Sequence, residues 1–258
     1  MPVKIGLVQM VCEKAAIEQN LQIIQDYVNQ ALSQNVEIVL FPEMSITGYI
    51  NPEKDLDAIL TLSSPAVKRF VEMSRGHDMT LLAGIVERNP QPGGKPFITQ
   101  LVAHQGQLLG YYRKITIEGD ETPFFDPGHE LETISGTGSP FGVTICADIN
   151  NPGLFEEYAR FGARFILEAA APGLYGSQAE RNWESGYNWW KGECETKLGR
   201  YARENNIYIA VATQAGRTRD EDFPGGGYLL GPDGTLLAAT EDWSPGMLIV
   251  TVPDFKMH

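Results

Sequence analysis

The strongest constraint on the fold of this chain is a run of strand-type and helix-type segments that is laid down twice, each time closing in a hairpin. In the first series, Val3 to Met10 reads as a strand, with Ile5, Leu7 and Val8 apolar and no helical spacing. Ala15 to Gln34 reads as an amphipathic helix, because Ile17, Leu21, Ile24, Val28 and Leu32 recur every three or four residues among Glu, Gln and Asn. Ile38 to Phe41 is a short strand ending at Pro42, Pro65 to Arg75 a helix with proline in its first turn, and Thr80 to Val86 a strand. Phe97 to His104 and Leu108 to Ile115 meet at Gln105-Gly106-Gln107 as a hairpin. The second series runs from the strand Phe141 to Ile145 through a short helix, Gly153 to Gly162, to the strand Arg164 to Ala169. A long helix, Trp189 to Asn205, leads into the strand Ile207 to Thr213. Tyr228 to Leu230 and Leu236 to Ala239 flank the turn Pro232-Asp233-Gly234, and Met247 to Val252 closes the sheet. This pattern predicts an α/β protein with a mixed sheet in each half. Residues 1–258 are expected to form one domain, since no linker, charge block or low-complexity tract divides them.

Charge narrows the partners. There are 33 acidic and 20 basic residues, a formal net charge of −13. A phosphate-backbone binder needs a basic face, and an anionic membrane repels such a chain, so neither nucleic acid nor membrane is an expected partner. No run of about 18 apolar residues suggests a membrane span, and the N-terminus lacks the apolar core of a signal peptide. Cys12, Cys146 and Cys194 form no C-x-x-C pair. Neither a disulfide framework nor a zinc site is expected, and reduced thiols suit a cytoplasmic protein.

In α/β proteins, chemistry gathers beyond the carboxyl ends of strands. Three reactive side chains stand there: Glu43 after Ile38 to Phe41, Lys114 near the end of Leu108 to Ile115, and Cys146 after Phe141 to Ile145. A cysteine attacks as thiolate and needs a base or cation to activate it. Glu43 is a candidate to take the thiol proton and pass it to a leaving amine, and Lys114 to stabilise an oxyanion. The four histidines, His77, His104, His129 and His258, offer little for a Cys–His pair, which favours a carboxylate base. Each residue also has a plainer reading: Cys146 as a packed small hydrophobe, Glu43 as a turn residue, Lys114 as an ion-paired strand end. Cys12 and Cys194 carry only the plainer one.

Together, Phe41-Pro42-Glu43-Met44 with Thr47-Gly48-Tyr49, Tyr111-Tyr112-Arg113-Lys114-Ile115, and Gly142-Val143-Thr144-Ile145-Cys146-Ala147-Asp148 resemble the signature of the nitrilase superfamily of carbon-nitrogen hydrolases. The resemblance extends over the chain, from Lys4-Ile5-Gly6-Leu7-Val8-Gln9-Met10 to Arg203-Glu204-Asn205 and Gly231-Pro232-Asp233-Gly234. It implies a four-layer α-β-β-α sandwich, assembly as a homodimer or larger homo-oligomer, and hydrolysis of a non-peptide C–N bond through a cysteine thioester, without metal or cofactor. Carried over, Glu43 is the general base, Lys114 the oxyanion stabiliser and Cys146 the nucleophile, with the Ala147 N–H as a second oxyanion donor. A further glutamate shortly before Pro127-Gly128 is implied; Glu121 is preferred over Glu118, although Glu118, Asp120 and Glu121 also read as a solvated acidic loop.

Ala147-Asp148, where relatives place a larger residue before the aspartate, and Asn150-Asn151-Pro152-Gly153 depart from the family pattern and suggest a wider pocket wall beside the thiol. Ala147-Asp148 also points to an amidase or carbamoylase rather than a nitrilase, with a small amide, ω-amide or N-carbamoyl compound as substrate. Candidate pocket residues are Tyr49, Asn51, Phe125, Glu168, Ala171, Tyr175 and Trp183. A pocket glutamate would favour a cationic substrate group, whereas an ω-amide acid would need an arginine, for which Arg181 is the candidate. The aromatic cluster of Tyr175, Trp183, Tyr187, Trp189 and Trp190 is read as helix packing before a substrate cap. A catalytically silent or regulatory subunit is the alternative function, which the intact Glu43, Lys114 and Cys146 disfavour. A glutaminase or acyl-transfer partner of another enzyme is disfavoured by the length of 258 residues without an appended synthetase region.

Overall fold

The computed structural model describes residues 2–135, 140–174 and 176–253. In the first half, β1 (Val3–Gln9), β2 (Ile38–Leu40) and β3 (Thr80–Glu87) are parallel neighbours, and β4 (Phe97–His104) and β5 (Gln107–Arg113) add an antiparallel hairpin beside β3. The second half repeats the plan. Strands β6 (Phe141–Ile145), β7 (Phe165–Ala170) and β8 (Tyr208–Thr213) run parallel. A small two-stranded sheet follows, made of β9 (Ala215–Arg217) and β10 (Asp222–Pro224). Next come β11 (Gly227–Leu230), antiparallel to β8, and β12 (Leu236–Ala239), antiparallel to β11. The last strand, β13 (Gly246–Val252), returns to pair antiparallel with β1. The large sheets therefore have the orders β13-β1-β2-β3-β4-β5 and β12-β11-β8-β7-β6.

Alternation along the strands creates the layers, because successive side chains point to opposite faces. Ile5, Leu7, Leu40 and Leu82 of the first sheet share one core with Phe141, Val143, Phe165 and Leu167 of the second, so the two sheets pack face to face. On the outer face of the first sheet, Val8, Val39 and Leu81 meet Leu21, Ile24 and Val28 of α1 (Ile17–Ser33) and Val67 and Phe70 of α2 (Pro65–Glu72). Outside the second sheet, Ile166, Ile209 and Val211 meet α3 (Pro152–Arg160) and the long helical segment that ends in Tyr201 and Ala202. The result is a four-layer α-β-β-α sandwich with two mixed sheets. Among the described residues, no helix is long and apolar enough to cross a membrane.

Two segments differ from the sequence reading. The long helix begins at Trp183, not Trp189: α4 (Trp183–Glu193) starts at Asn182, whose side chain accepts from the Ser185 N–H at 2.9 Å. It passes through a π-helical turn, Cys194–Leu198, into α5 (Gly199–Asn205). The β9–β10 pair has no counterpart in the predicted elements. It contains Gly216 at φ +82° and Pro224, so it lacks the apolar alternation that marks a strand.

Candidate active site

Three connections at the strand ends bring the reactive groups together. After β2, the backbone turns sharply, with Met44 at φ +50°. The turn is stapled to β3: the Gly84 N–H donates to Ser45 Oγ at 2.9 Å, and the Ile46 N–H donates to the Gly84 carbonyl at 2.9 Å. A methyl group on Gly84 would collide with the Met44 backbone nitrogen, so glycine here lets β3 approach the segment that carries Glu43. Lys114 lies one residue beyond β5, and its backbone N–H donates to the Ile98 carbonyl while its carbonyl accepts from Gly128. A side chain at Gly128 would meet the Arg113 backbone, which explains why Pro127-Gly128 lies beside this element.

Cys146 opens a 3₁₀ turn, Cys146–Asn150, at the end of β6 and sits at φ +45°. A non-glycine residue in that conformation persists only where the surroundings over-determine it. Asp148 supplies the restraint. One carboxylate oxygen accepts from the Ile145 N–H at 2.9 Å and the Tyr112 hydroxyl at 2.8 Å, and the other accepts from the Thr116 N–H at 2.8 Å. The cysteine turn is thus tied to both sides of the Lys114 segment.

The side chains converge. Lys114 Nζ donates to Glu43 Oε1 at 2.9 Å and to Glu121 Oε1 at 2.7 Å. Tyr49 donates its hydroxyl to Glu121 Oε1 at 2.7 Å. Cys146 lines the same cavity as Lys114 and Glu121, and its thiol feels the charges of both Glu43 and Lys114. Lys114 is 1% exposed and Glu43 fully buried. Glu118, the rival of Glu121, has no bond to Lys114; it stands on the cavity wall and accepts from Asn150 Nδ2 at 2.8 Å. The second oxygens of Glu43 and Glu121 are buried with no hydrogen-bond partner among the described residues.

Burial sets the proton inventory. It pushes Glu43 up to about 7, and the Glu121 carboxylate adds to that rise while Lys114 opposes it. Burial works against a charge on Lys114, but Glu43 and Glu121 outweigh it and hold the ammonium well above the usual lysine range. The Cys146 thiol is raised well above the usual range by burial and then by Glu43, with Lys114 and the Ala171 N–H opposing. At neutral pH the site therefore holds a thiol, an ammonium and a carboxyl poised near half-ionisation.

Lys114, Glu121 and Cys146 line a cavity of about 370 Å³ that also includes Tyr49, Ala147, Ala171, Trp189 and Trp190, while Glu43 is fully buried and reaches it through Lys114. Glu168 is placed elsewhere. It alternates with Phe165, Leu167 and Ala169 on β7, so it faces the helix layer rather than the inter-sheet core, and it does not line the cavity. Phe125 packs in the inter-sheet core, and neither Asn51 nor Trp183 lines the cavity. Tyr175 lies outside the described residues. Arg181 is turned into the loop before it, donating to the Leu174 and Gly176 carbonyls and lying 3.7 Å from Asp222. The tryptophans divide the two roles weighed for the aromatic cluster. Trp190 is buried and donates to Thr213 Oγ1 at 2.8 Å, whereas Trp189 is 44% exposed at the cavity wall. Glu193, Lys197 and Glu221 were not foreseen. Adjacent tryptophans in a helix were the only sequence signal that one must leave the core. Among the described residues, no three His, Cys, Asp or Glu side chains are grouped to hold a metal ion.

The family model described as Carbon-nitrogen hydrolase matches residues 4–254. The chain belongs to the carbon-nitrogen hydrolase family. Within it, the chain is similar to an amidase from Nesterenkonia of the nitrilase superfamily: 25% identity, a TM-score of 0.79, and coverage of 98% of this chain and 91% of that one. One structure of the Nesterenkonia amidase shows the acetamide moiety of fluoroacetamide added covalently at the active-site cysteine. A probable nitrilase of Schizosaccharomyces pombe is 24% identical over 257 residues, 98% of this chain and 89% of that protein. The glutamine-dependent NAD(+) synthetase of Acinetobacter baylyi is 26% identical over 238 residues, and the match spans 90% of this chain but 41% of the synthetase. This carbon-nitrogen hydrolase domain thus corresponds to less than half of such a synthetase.

Proposed function

We propose that the chain hydrolyses a non-peptide C–N bond of a small amide, ω-amide or N-carbamoyl compound through a thioester on Cys146. The observation that carries this reading is the buried Lys114 ammonium bridging Glu43 and Glu121 beside the Cys146 thiol. A binding module has no use for that arrangement, because burying three ionisable groups is costly unless each is paired.

Glu43 takes the thiol proton as sulfur attacks the carbonyl carbon. The negative charge moves to the carbonyl oxygen, where Lys114 and the Ala147 N–H stabilise it. Glu43 returns the proton to the leaving nitrogen, the C–N bond breaks, and ammonia or an amine departs. Water then attacks the thioester, Glu43 accepts its proton, and the acid leaves as the thiol re-forms. A carboxyl at about 7 suits both halves, since it must accept and donate within one cycle. Glu121 holds Lys114 in place, with Tyr49 fixing Glu121 in turn.

The covalent adduct on the cysteine of the Nesterenkonia amidase supports the nucleophile assigned to Cys146. The test is intact-protein mass spectrometry with simple amides, ureido acids and L-glutamine. An acyl mass added to Cys146, absent in Cys146→Ala, is expected. Turnover that survives Cys146→Ala would remove the mechanism.

A further inference from the structure

The wall of the catalytic cavity is strongly biased in charge beyond the reacting groups. Glu118 and Asp120 approach from the turn that carries Glu121, Glu193 from α4, and Glu221 from the loop before β10. Against these four carboxylates the lining offers one ammonium outside the reaction centre, Lys197. That ammonium is already engaged, at 2.6 Å from Glu193 and 2.9 Å from Asn150 Oδ1. Glu221 is met at 3.0 Å by Lys14, but Lys14 is shared with Asp220 at 2.7 Å. No arginine lines the cavity among the described residues, and Arg181, the candidate for holding a substrate carboxylate, is committed to its own loop and to Asp222.

Two further observations point to a ligand rich in donors. Glu121 is 8% exposed and lines the cavity, and its second oxygen is unpartnered among the described residues, so this carboxylate adds to the negative wall beside the reaction centre. Trp189 stands half-open on the same wall, a ring available to a cation. A cavity lined by one sign of charge focuses the field and concentrates ligands of the other sign.

We infer that the end of the substrate remote from the scissile bond is cationic, a primary amine or a guanidine, and that amides ending in a free carboxylate are excluded. This rests on the hydrolytic reading above. The repulsive part is as important as the attractive one, because discrimination is a difference between two affinities.

The experiment compares short aliphatic amides of one chain length that end in ammonium, methyl or carboxylate. At low ionic strength, kcat/KM should fall in that order, with about tenfold between the ammonium and methyl compounds. Raising the salt should compress the series, since exposed charges are screened. Glu193→Gln and Asp120→Asn should each lower the ratio of ammonium to methyl kcat/KM. Equal turnover of all three amides, or preference for the carboxylate, overturns the inference while the hydrolytic reading stands. Acylation of Cys146 by other amides but none of these three has the same consequence. Failure of every amide to acylate Cys146 removes both.

Discussion

At the scale of single residues, the site is a problem of buried charge. Lys114 remains an ammonium because two carboxyl groups lie within hydrogen-bonding distance of it. Removing one partner of such a set leaves an uncompensated charge and costs about 3–5 kcal/mol. Lys114→Met should therefore abolish turnover and lower stability by about that amount at neutral pH, measured by chemical denaturation. Unchanged stability would mean that the carboxylates are not held by the ammonium. Glu43→Gln is the contrasting case. It keeps the shape and leaves Lys114 paired with Glu121, so turnover should drop by about 10²–10⁴ with little change in fold. In the unaltered chain, Glu43 must be ionised to accept the thiol proton. Its pKa of about 7 predicts that kcat/KM rises with pH through that value and levels above it. A profile flat from about pH 6 to 8 would reassign the base.

At the scale of elements, precision comes from how turns are pinned to strands. Glu43 is carried by a turn that leans on β3 at Gly84, where there is no room for a side chain. Gly84→Ala should displace Met44 and with it Glu43, costing about tenfold to a hundredfold in kcat, since a shift of about 1 Å in a reacting group has that effect. Normal kcat in a folded Gly84→Ala protein would show that β3 does not set the position of Glu43. The parallel strands β2 and β6 were legible because apolar runs ending in a reactive residue combine burial with a strand terminus. Asp148 could be quoted from its motif, but its three hydrogen bonds could not, because Tyr112 and Thr116 reach it from an element more than thirty residues away. The early start of α4 went unread because Glu184, Ser185 and Gly186 break the apolar period. Only the cap at Asn182 marks it. The position of Glu221 is set by the loop between the paired strands β9 and β10, a long-range matter without local signature.

For the whole molecule, the sandwich buries a carboxyl group that the chemistry does not use. Glu168 is fully buried behind β7, and neither of its oxygens has a hydrogen-bond partner among the described residues. Burial raises its pKa well above the usual carboxylate range, with Asp148 and Glu43 adding to the rise. Sequence reading placed this residue in the pocket because it lies on a strand that ends near the site. Strand alternation instead turns it toward the helices, a one-residue difference in phase that sends a side chain to the opposite layer. The consequence is a pH dependence of folding. Once the pH exceeds the ordinary glutamate value, the unfolded chain releases this proton while the folded chain keeps it. The unfolded state then binds fewer protons, so stability falls as pH rises, by about 1.4 kcal/mol per unit until the folded pKa is reached. Glu168→Gln carries no such proton in either state. Denaturation in guanidinium from about pH 5 to 7 should therefore show the Gln protein gaining on the unaltered chain as pH rises, by at most about 1.4 kcal/mol per unit. The comparison isolates Glu168, because the raised carboxyl of Glu43 and the net charge of −13 act on both proteins. Parallel stability curves would mean that Glu168 ionises inside the fold, which would require a cationic partner behind β7.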